Sequence, residues 1–308
     1  MTTPAPEHRS GFACFVGRPN AGKSTLTNAL VGQKVAITSG RPQTTRHTIR
    51  GIVHRDDAQL ILVDTPGLHR PRTLLGERLN LLVRDTLSEV DVVAFCLPAD
   101  QKVGPGDRFI AQQLADVMRG RRGTPVVAVV TKTDLVDRDT LARHLMSVDA
   151  LGDWADIVPV SGVEGFQVDT LADVLVSYLP EGPELYPGGE LTDEPESVMV
   201  AELVREAALE GVRDELPHSL AVVVDEITPR EDRDPANPLV DVRVNIFVER
   251  DSQKAIVIGK GGSRLRHVGT EARRGIEALL GTKVYLDMRV KVAKDWQRDP
   301  KQLNRLGF

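Results

Sequence analysis

Short apolar runs recur along the first part of the chain, at 12–16, 60–63, 92–97, 125–130 and 157–160. Most are continuous rather than alternating, the pattern of strands covered on both faces of a parallel sheet. Between them, 24–31, 74–90, 107–119, 140–148 and 170–179 carry helical apolar spacing. Strands that alternate with helices predict a doubly wound α/β domain. Residues 48–54 are predicted as an extra strand, turning at 55–58 to pair with 59–63 as an antiparallel edge.

The pattern then breaks. Residues 180–197 hold four prolines, three glycines and six acids with no base. Such a stretch cannot bury a core and is expected to be a linker. Beyond it, Val200, Leu203, Val204, Ala207, Ala208 and Val212 share one helical face. Strands are predicted at 220–227 and 240–248; in the second, Val242, Val244, Ile246 and Val248 alternate with Arg243, Asn245 and Phe247. The run 256–258 should pack into the sheet as core. A basic helix is predicted at 263–280, with a break near Gly269, and a last alternating strand at 284–292. The second half is therefore α+β. The expected division is a first domain at 1–180, a linker at 181–197 and a second domain at 198–308.

Composition narrows the class. With 308 residues, 41% hydrophobic and 27% charged, the chain is neither disordered nor collagen-like. No apolar stretch reaches the ~18 residues that a bilayer span needs. Residues 1–10 hold no apolar block, so no secretory signal is expected there. Cys14 and Cys96 lie inside apolar runs and are expected to be buried thiols in a reducing, cytoplasmic setting. Net charge is −5, yet 251–308 carries thirteen Lys/Arg against six Asp/Glu, an excess of seven, which leaves −12 on the rest. That split fits either a solvated basic surface or an end that meets a polyanion.

Five motifs carry chemistry. Gly17-Arg18-Pro19-Asn20-Ala21-Gly22-Lys23-Ser24 fits G-x-x-x-x-G-K-S between a strand and a helix. Gly17 and Gly22 permit turns, backbone N–H groups cradle phosphates, and the helix start adds a positive end. Lys23 brings charge to the β- and γ-phosphates, and Ser24 offers an oxygen to Mg²⁺. Asp64-Thr65-Pro66-Gly67 ends a strand: Asp64 can hold Mg²⁺, and the Gly67 N–H can meet a γ-phosphate. Thr131-Lys132-Thr133-Asp134 ends another. A carboxylate at Asp134 can accept two guanine N–H groups that adenine lacks. Ser161 and Gly162, after the last strand, offer backbone donors to the base carbonyl. Finally, Gly259-Lys260-Gly261-Gly262 is either a plain turn or a G-x-x-G loop that grips a nucleic-acid backbone.

With these residues in view, the chain resembles the Era family of GTPases over nearly its whole length. The resemblance lies in 17–25, 42–47, 64–69, 131–134 and 160–162, then 255–273 and 284–296. It implies a phosphate-loop GTPase domain with a mainly parallel sheet, followed by a smaller KH domain of type II-like topology. It implies Mg²⁺-dependent GTP hydrolysis, with GTP or GDP held by residues 17–24, Thr25, Asp64, Thr65, Pro66, Gly67, Thr131, Lys132, Asp134, Ser161 and Gly162. Gln43-Thr44-Thr45-Arg46-His47 matches the first switch, where Thr45 would join Ser24 and Asp64 around Mg²⁺; catalysis would rest on Lys23, Thr45 and Gly67. Leu68 cannot orient water by hydrogen bonding, so slow intrinsic hydrolysis is expected. The KH segment implies RNA contacts at Ile258, Gly259, Lys260, Gly261, Gly262, Arg264 and Arg266. The partners it implies are 16S rRNA near its 3′ end and the 30S subunit, with peripheral contact at the inner membrane face; a monomer is expected. One departure is Thr131, where the family has asparagine. Its shorter side chain either weakens nucleotide binding or is silent. The alternatives are a constitutive RNA-binding protein with a structural nucleotide domain, and a membrane-associated signalling GTPase.

Overall fold

The computed structural model describes residues 8–39, 44–68, 71, 73–120, 123–212, 216–233 and 237–308. Pro42, Gln43 and His69 of the family motifs lie outside the described residues. The chain forms two compact units, one of Met1–Ala36, Thr45–Pro71 and Gly76–Asp193, the other of Ile37–Thr44, Arg72–Leu75 and Glu194–Phe308.

In the first unit β1 (Arg9–Gly17), α1 (Lys23–Val31), β2 (Ile49–His54), β3 (Ala58–Asp64), α2 (Leu74–Glu89), β4 (Val92–Pro98), α3 (Pro105–Gly120), β5 (Val126–Thr131), α4 (Arg138–Asp149), β6 (Asp156–Pro159) and α5 (Val168–Ser177) follow one another. The sheet runs β2-β3-β1-β4-β5-β6, parallel except for β2. Ile52 faces Ile61 across the antiparallel edge. The continuous apolar runs have a simple cause. Ala13, Phe15, Leu62 and Val129 pack under α1 and α5, while Cys14, Val16, Val63 and Val130 pack under α2, α3 and α4. With both faces covered, no strand position can be polar without a partner. Both cysteines are free and buried. Burial raises the Cys14 pKa, and pushes the Cys96 thiol up to about 12. Residues 181–193 pass the start of β3 and run beside the edge strand β2: Gln59 accepts from the Leu185 and Tyr186 N–H groups, and Ile52 N–H donates to the Leu191 carbonyl.

The second unit contains α6 (Glu196–Leu209), α7 (Leu216–Ser219), β7 (Ala221–Pro229), β8 (Leu239–Val248), α8 (Asp251–Ile258), α9 (Ser263–Leu280), β9 (Lys283–Val292) and α10 (Pro300–Arg305). β8 is central, antiparallel to β7 and parallel to β9. Val242, Val244, Ile246 and Val248 are buried as their alternation predicts, but Asn245 and Phe247 are buried too. Two expectations are corrected. Residues 256–258 end a helix, not a sheet segment: Val257 is 1% exposed, Ile256 is 53% exposed and Ile258 is half-buried. α9 is not broken at Gly269, because Val268, Ala272 and Ile276 keep one apolar face on the core. Thr38 N–H donates to Glu206, and Arg205, ion-paired with Glu202 at 2.7 Å and buried, donates to the Thr44 carbonyl.

Candidate nucleotide site

The functional residues gather at the carboxyl ends of β1, β3 and β5, beside the point where strand order reverses between β1 and β4. Ligands bind parallel sheets at that edge. Gly22 opens α1 with φ 88°, and neither a side-chain cap nor an acid occupies the first turn. The positive helix end is thus left for an anion. Gly17 is corrected in its role: its φ is not positive, and a Cβ there would sit 2.8 Å from the Cys96 carbonyl oxygen. Close approach of β1 to β4, rather than a turn, requires that glycine. The left-handed turn residues are Asn20 (φ 62°) and Gly22.

Lys23 is buried, with its Nζ 3.1 Å from the Arg18 carbonyl and 3.5 Å from that of Gly17. Burial lowers its pKa, and Asp64 opposes that shift. Ser24 Oγ donates to Asp64 Oδ2 at 2.6 Å, and Thr45 Oγ donates to the same oxygen at 3.2 Å. The two hydroxyls are 3.0 Å apart. Three hard oxygen donors from α1, β3 and the segment before β2 therefore converge, a set suited to Mg²⁺. Thr65 is buried and donates to the Phe15 carbonyl at 2.7 Å. Gly67 lies against the loop: an added Cβ would be 2.7 Å from the Pro19 nitrogen. Leu68 is buried, and its N–H donates to the Gly17 carbonyl.

At the end of β5, Thr131 Oγ donates to the Ala21 carbonyl at 2.7 Å. The shorter side chain therefore keeps the tether to the phosphate loop. Lys132 takes a left-handed φ of 58° and leads into a 3-10 turn at Thr133–Leu135. Asp134 is exposed there, and Ser161 Oγ donates to its Oδ1 at 2.6 Å. The expectation of a backbone donor from Ser161 is corrected, since that N–H is spent on the Phe166 carbonyl. Its side chain instead orients Asp134.

A brace escaped the sequence reading. Arg18 Nε pairs with Asp107 at 2.7 Å, and the other Asp107 oxygen accepts the Gly104 N–H. Asp107 is 1% exposed. The only sequence signal was an acid in the first turn of a helix, which reads as ordinary capping.

In the second unit the 3-10 turn Lys260–Gly262 joins α8 to α9 and buries no residue. Gly259, at φ 73°, would place a Cβ 2.7 Å from that of Arg264. Arg266 is exposed, but Arg264 Nη2 donates to the carbonyls of Ala208 and Glu210. Arg264, expected as an RNA contact, here holds the end of α6.

Comparison with known proteins agrees with this arrangement. The 50S ribosome-binding GTPase family matches residues 12–132, and the KH domain family matches 215–297. A GTPase Era from Streptomyces coelicolor is 71% identical over 98% of this chain and 95% of its own length. One from Mycolicibacterium smegmatis is 69% identical over 98% and 99%. Among solved structures, Era in complex with MgGDPNP and nucleotides 1506–1542 of 16S ribosomal RNA is similar at TM-score 0.91 and 36% identity, covering 97% of this chain and 99% of that one. An Aquifex aeolicus Era variant bound to GDP and aluminium fluoride gives 0.90 and 35% over the same shares.

Proposed function

Because the chain belongs to the Era family of GTPases, we propose that it is a switch that binds 16S rRNA near its 3′ end while carrying GTP and leaves it after hydrolysis, during 30S subunit assembly. It is a GTP hydrolase that binds GTP and GDP with Mg²⁺. The observation that carries the RNA reading is the full-length likeness to a relative solved with both nucleotide analogue and rRNA. The outward G-x-x-G turn and the excess positive charge of 251–308 support it.

Each residue has a task in this reading. The backbone of 17–22 and the start of α1 cradle the phosphates, with Thr25 just behind Lys23 and Ser24. Lys23 transfers its hydrogen bonds from the Arg18 and Gly17 carbonyls to phosphate oxygens. Its charge is costly to bury, so an anion is the fitting partner. Ser24 and Thr45 would hold Mg²⁺ directly, with Asp64 accepting from its shell; bound Mg²⁺ supplies charge neutralisation across the β- and γ-phosphates. The segment Asp64 to Gly67 lies against Pro19, so the Gly67 N–H is carried to the γ-phosphate edge. Asp134, aligned by Ser161 with Gly162 next to it, accepts the guanine N–H pair. Leu68 offers no hydrogen bond to water, which leaves intrinsic hydrolysis slow. Ile258, Gly259, Lys260, Gly261, Gly262 and Arg266 form the RNA contact, with Arg264 as its support.

We take the working division to be GTPase 1–180, connecting segment 181–197 and KH region 198–308, in a cytoplasmic monomer. No helix among the described residues is long and apolar enough to cross a membrane. Any peripheral contact would rest on the basic 251–308 surface, and failure to float with anionic vesicles would remove it. Constitutive RNA binding with an idle nucleotide domain is the competing reading. The Thr131 tether to Ala21 weighs against it. Replacing the chromosomal copy with Lys23→Ala should stall 30S assembly; normal subunit profiles would favour the competitor.

A further inference from the structure

Helices α3 and α4 cover the same face of the first unit's sheet and leave between them a cleft of about 1250 Å³. No residue of the phosphate loop, of 64–67 or of 131–134 lines it. α3 turns Arg108, Ala111 and Ala115 to it, and α4 turns Thr140, Arg143 and His144. Leu151 and Trp154, both half-buried, also line it, and Trp154 is fixed by donating to the Val148 carbonyl and by packing on Phe95. Pockets for drug-sized ligands run to about 300–1000 Å³, so this one is large enough for a chain segment. Ala111 and Ala115, one turn apart, let a guest backbone come close.

Three cations and two acids line it, a modest positive excess. Lys102, Arg108 and Arg143 are exposed at the cleft, and none forms an ion pair among the described residues. Of the two acids there, Asp100 is 3.6 Å from Lys132, which leaves Asp153. His144 adds an independent sign. It is 8% exposed, and its Nε2 is buried with no hydrogen-bond partner. A buried polar atom left so calls for an explanation, and a polar group entering the cleft would supply one.

We infer that this cleft is a docking groove for an acidic amphipathic helix of a partner protein, its apolar side chains on Leu151 and Trp154 and its flanking carboxylates on Lys102, Arg108 and Arg143. Helices seat in grooves through anchors at i, i+3, i+4 and i+7, and the cationic rim selects the acidic ones. The groove stands apart from the nucleotide and RNA readings and does not need them.

The full-length protein tests this by titration with a synthetic peptide of about fourteen residues, leucines on one helical face and glutamates beside them. A second peptide carries lysine in place of each glutamate. The acidic peptide should bind about tenfold tighter than the basic one, and Trp154 emission should shift. Ala111→Trp, which fills the groove, and the double variant Arg108→Glu with Arg143→Glu should each weaken it about tenfold while GTP affinity stays level. No binding, equal binding of the two peptides, or acidic binding that survives both variants would overturn the inference. Loss of rRNA binding in the double variant, with peptide binding unchanged, would assign the rim to RNA and overturn it as well.

Discussion

Thr131 is 2% exposed, and its one hydroxyl proton goes to the Ala21 carbonyl. Thr131→Val keeps the shape and strands that acceptor. The expected cost is about 1–3 kcal/mol, read by urea unfolding, with looser GTP binding; unchanged curves would show the bond to be idle. Ser24→Ala removes one of three converging oxygens. GTP affinity in that variant should respond little to added Mg²⁺, and a Mg²⁺ response equal to that of the unaltered protein would refute the ligand assignment. His144 gives a pH signature. Burial lowers its pKa, while Asp107 and Asp100 pull weakly the other way. Below about pH 6.5 the unfolded chain takes a proton that the folded chain resists. Stability should therefore fall as pH drops from there through the lowered folded value, and His144→Gln should flatten that slope in thermal melts at several pH values. Single residues were legible where chemistry and spacing coincide, as at Lys23, Ser24 and Asp64. The Arg18–Asp107 brace and the Ser161–Asp134 bond were not. Each joins positions far apart in sequence whose meeting depends on the finished sheet.

The strands of the first unit were readable because both faces are covered, which forces apolar residues at successive positions. The same rule misled at α8. Its run Ala255, Ile256, Val257 and Ile258 is too short for period alone to separate strand from helix, and the helix turns Ile256 outward. Gly269 suggested a break, yet the buried stripe of α9 outweighs the roughly 1 kcal/mol that a helical glycine costs. The turn between α8 and α9 depends on Gly259. Gly259→Ala should cut rRNA affinity about tenfold by colliding with Arg264, with RNA-free GTP hydrolysis unchanged; undiminished RNA binding would contradict this. α6 carries a buried ion pair, Glu202 with Arg205. Arg205→Ala leaves that carboxylate uncompensated and should cost about 3–5 kcal/mol, measured by denaturation of the full chain. A loss near zero would mean that water reaches the site.

At the scale of the molecule, an acidic body with a basic terminal stretch is compatible with the proposed polyanion partner. In the proposed switch, nucleotide chemistry and RNA contact are separate sites on one chain, and one must report on the other. Filter binding of a labelled 16S 3′-terminal oligonucleotide to the full-length protein, with saturating non-hydrolysable GTP analogue and then with GDP, measures that link directly. The account predicts clearly tighter binding with the analogue, by about tenfold or about 1.4 kcal/mol. Equal affinity in the two nucleotide states would contradict it.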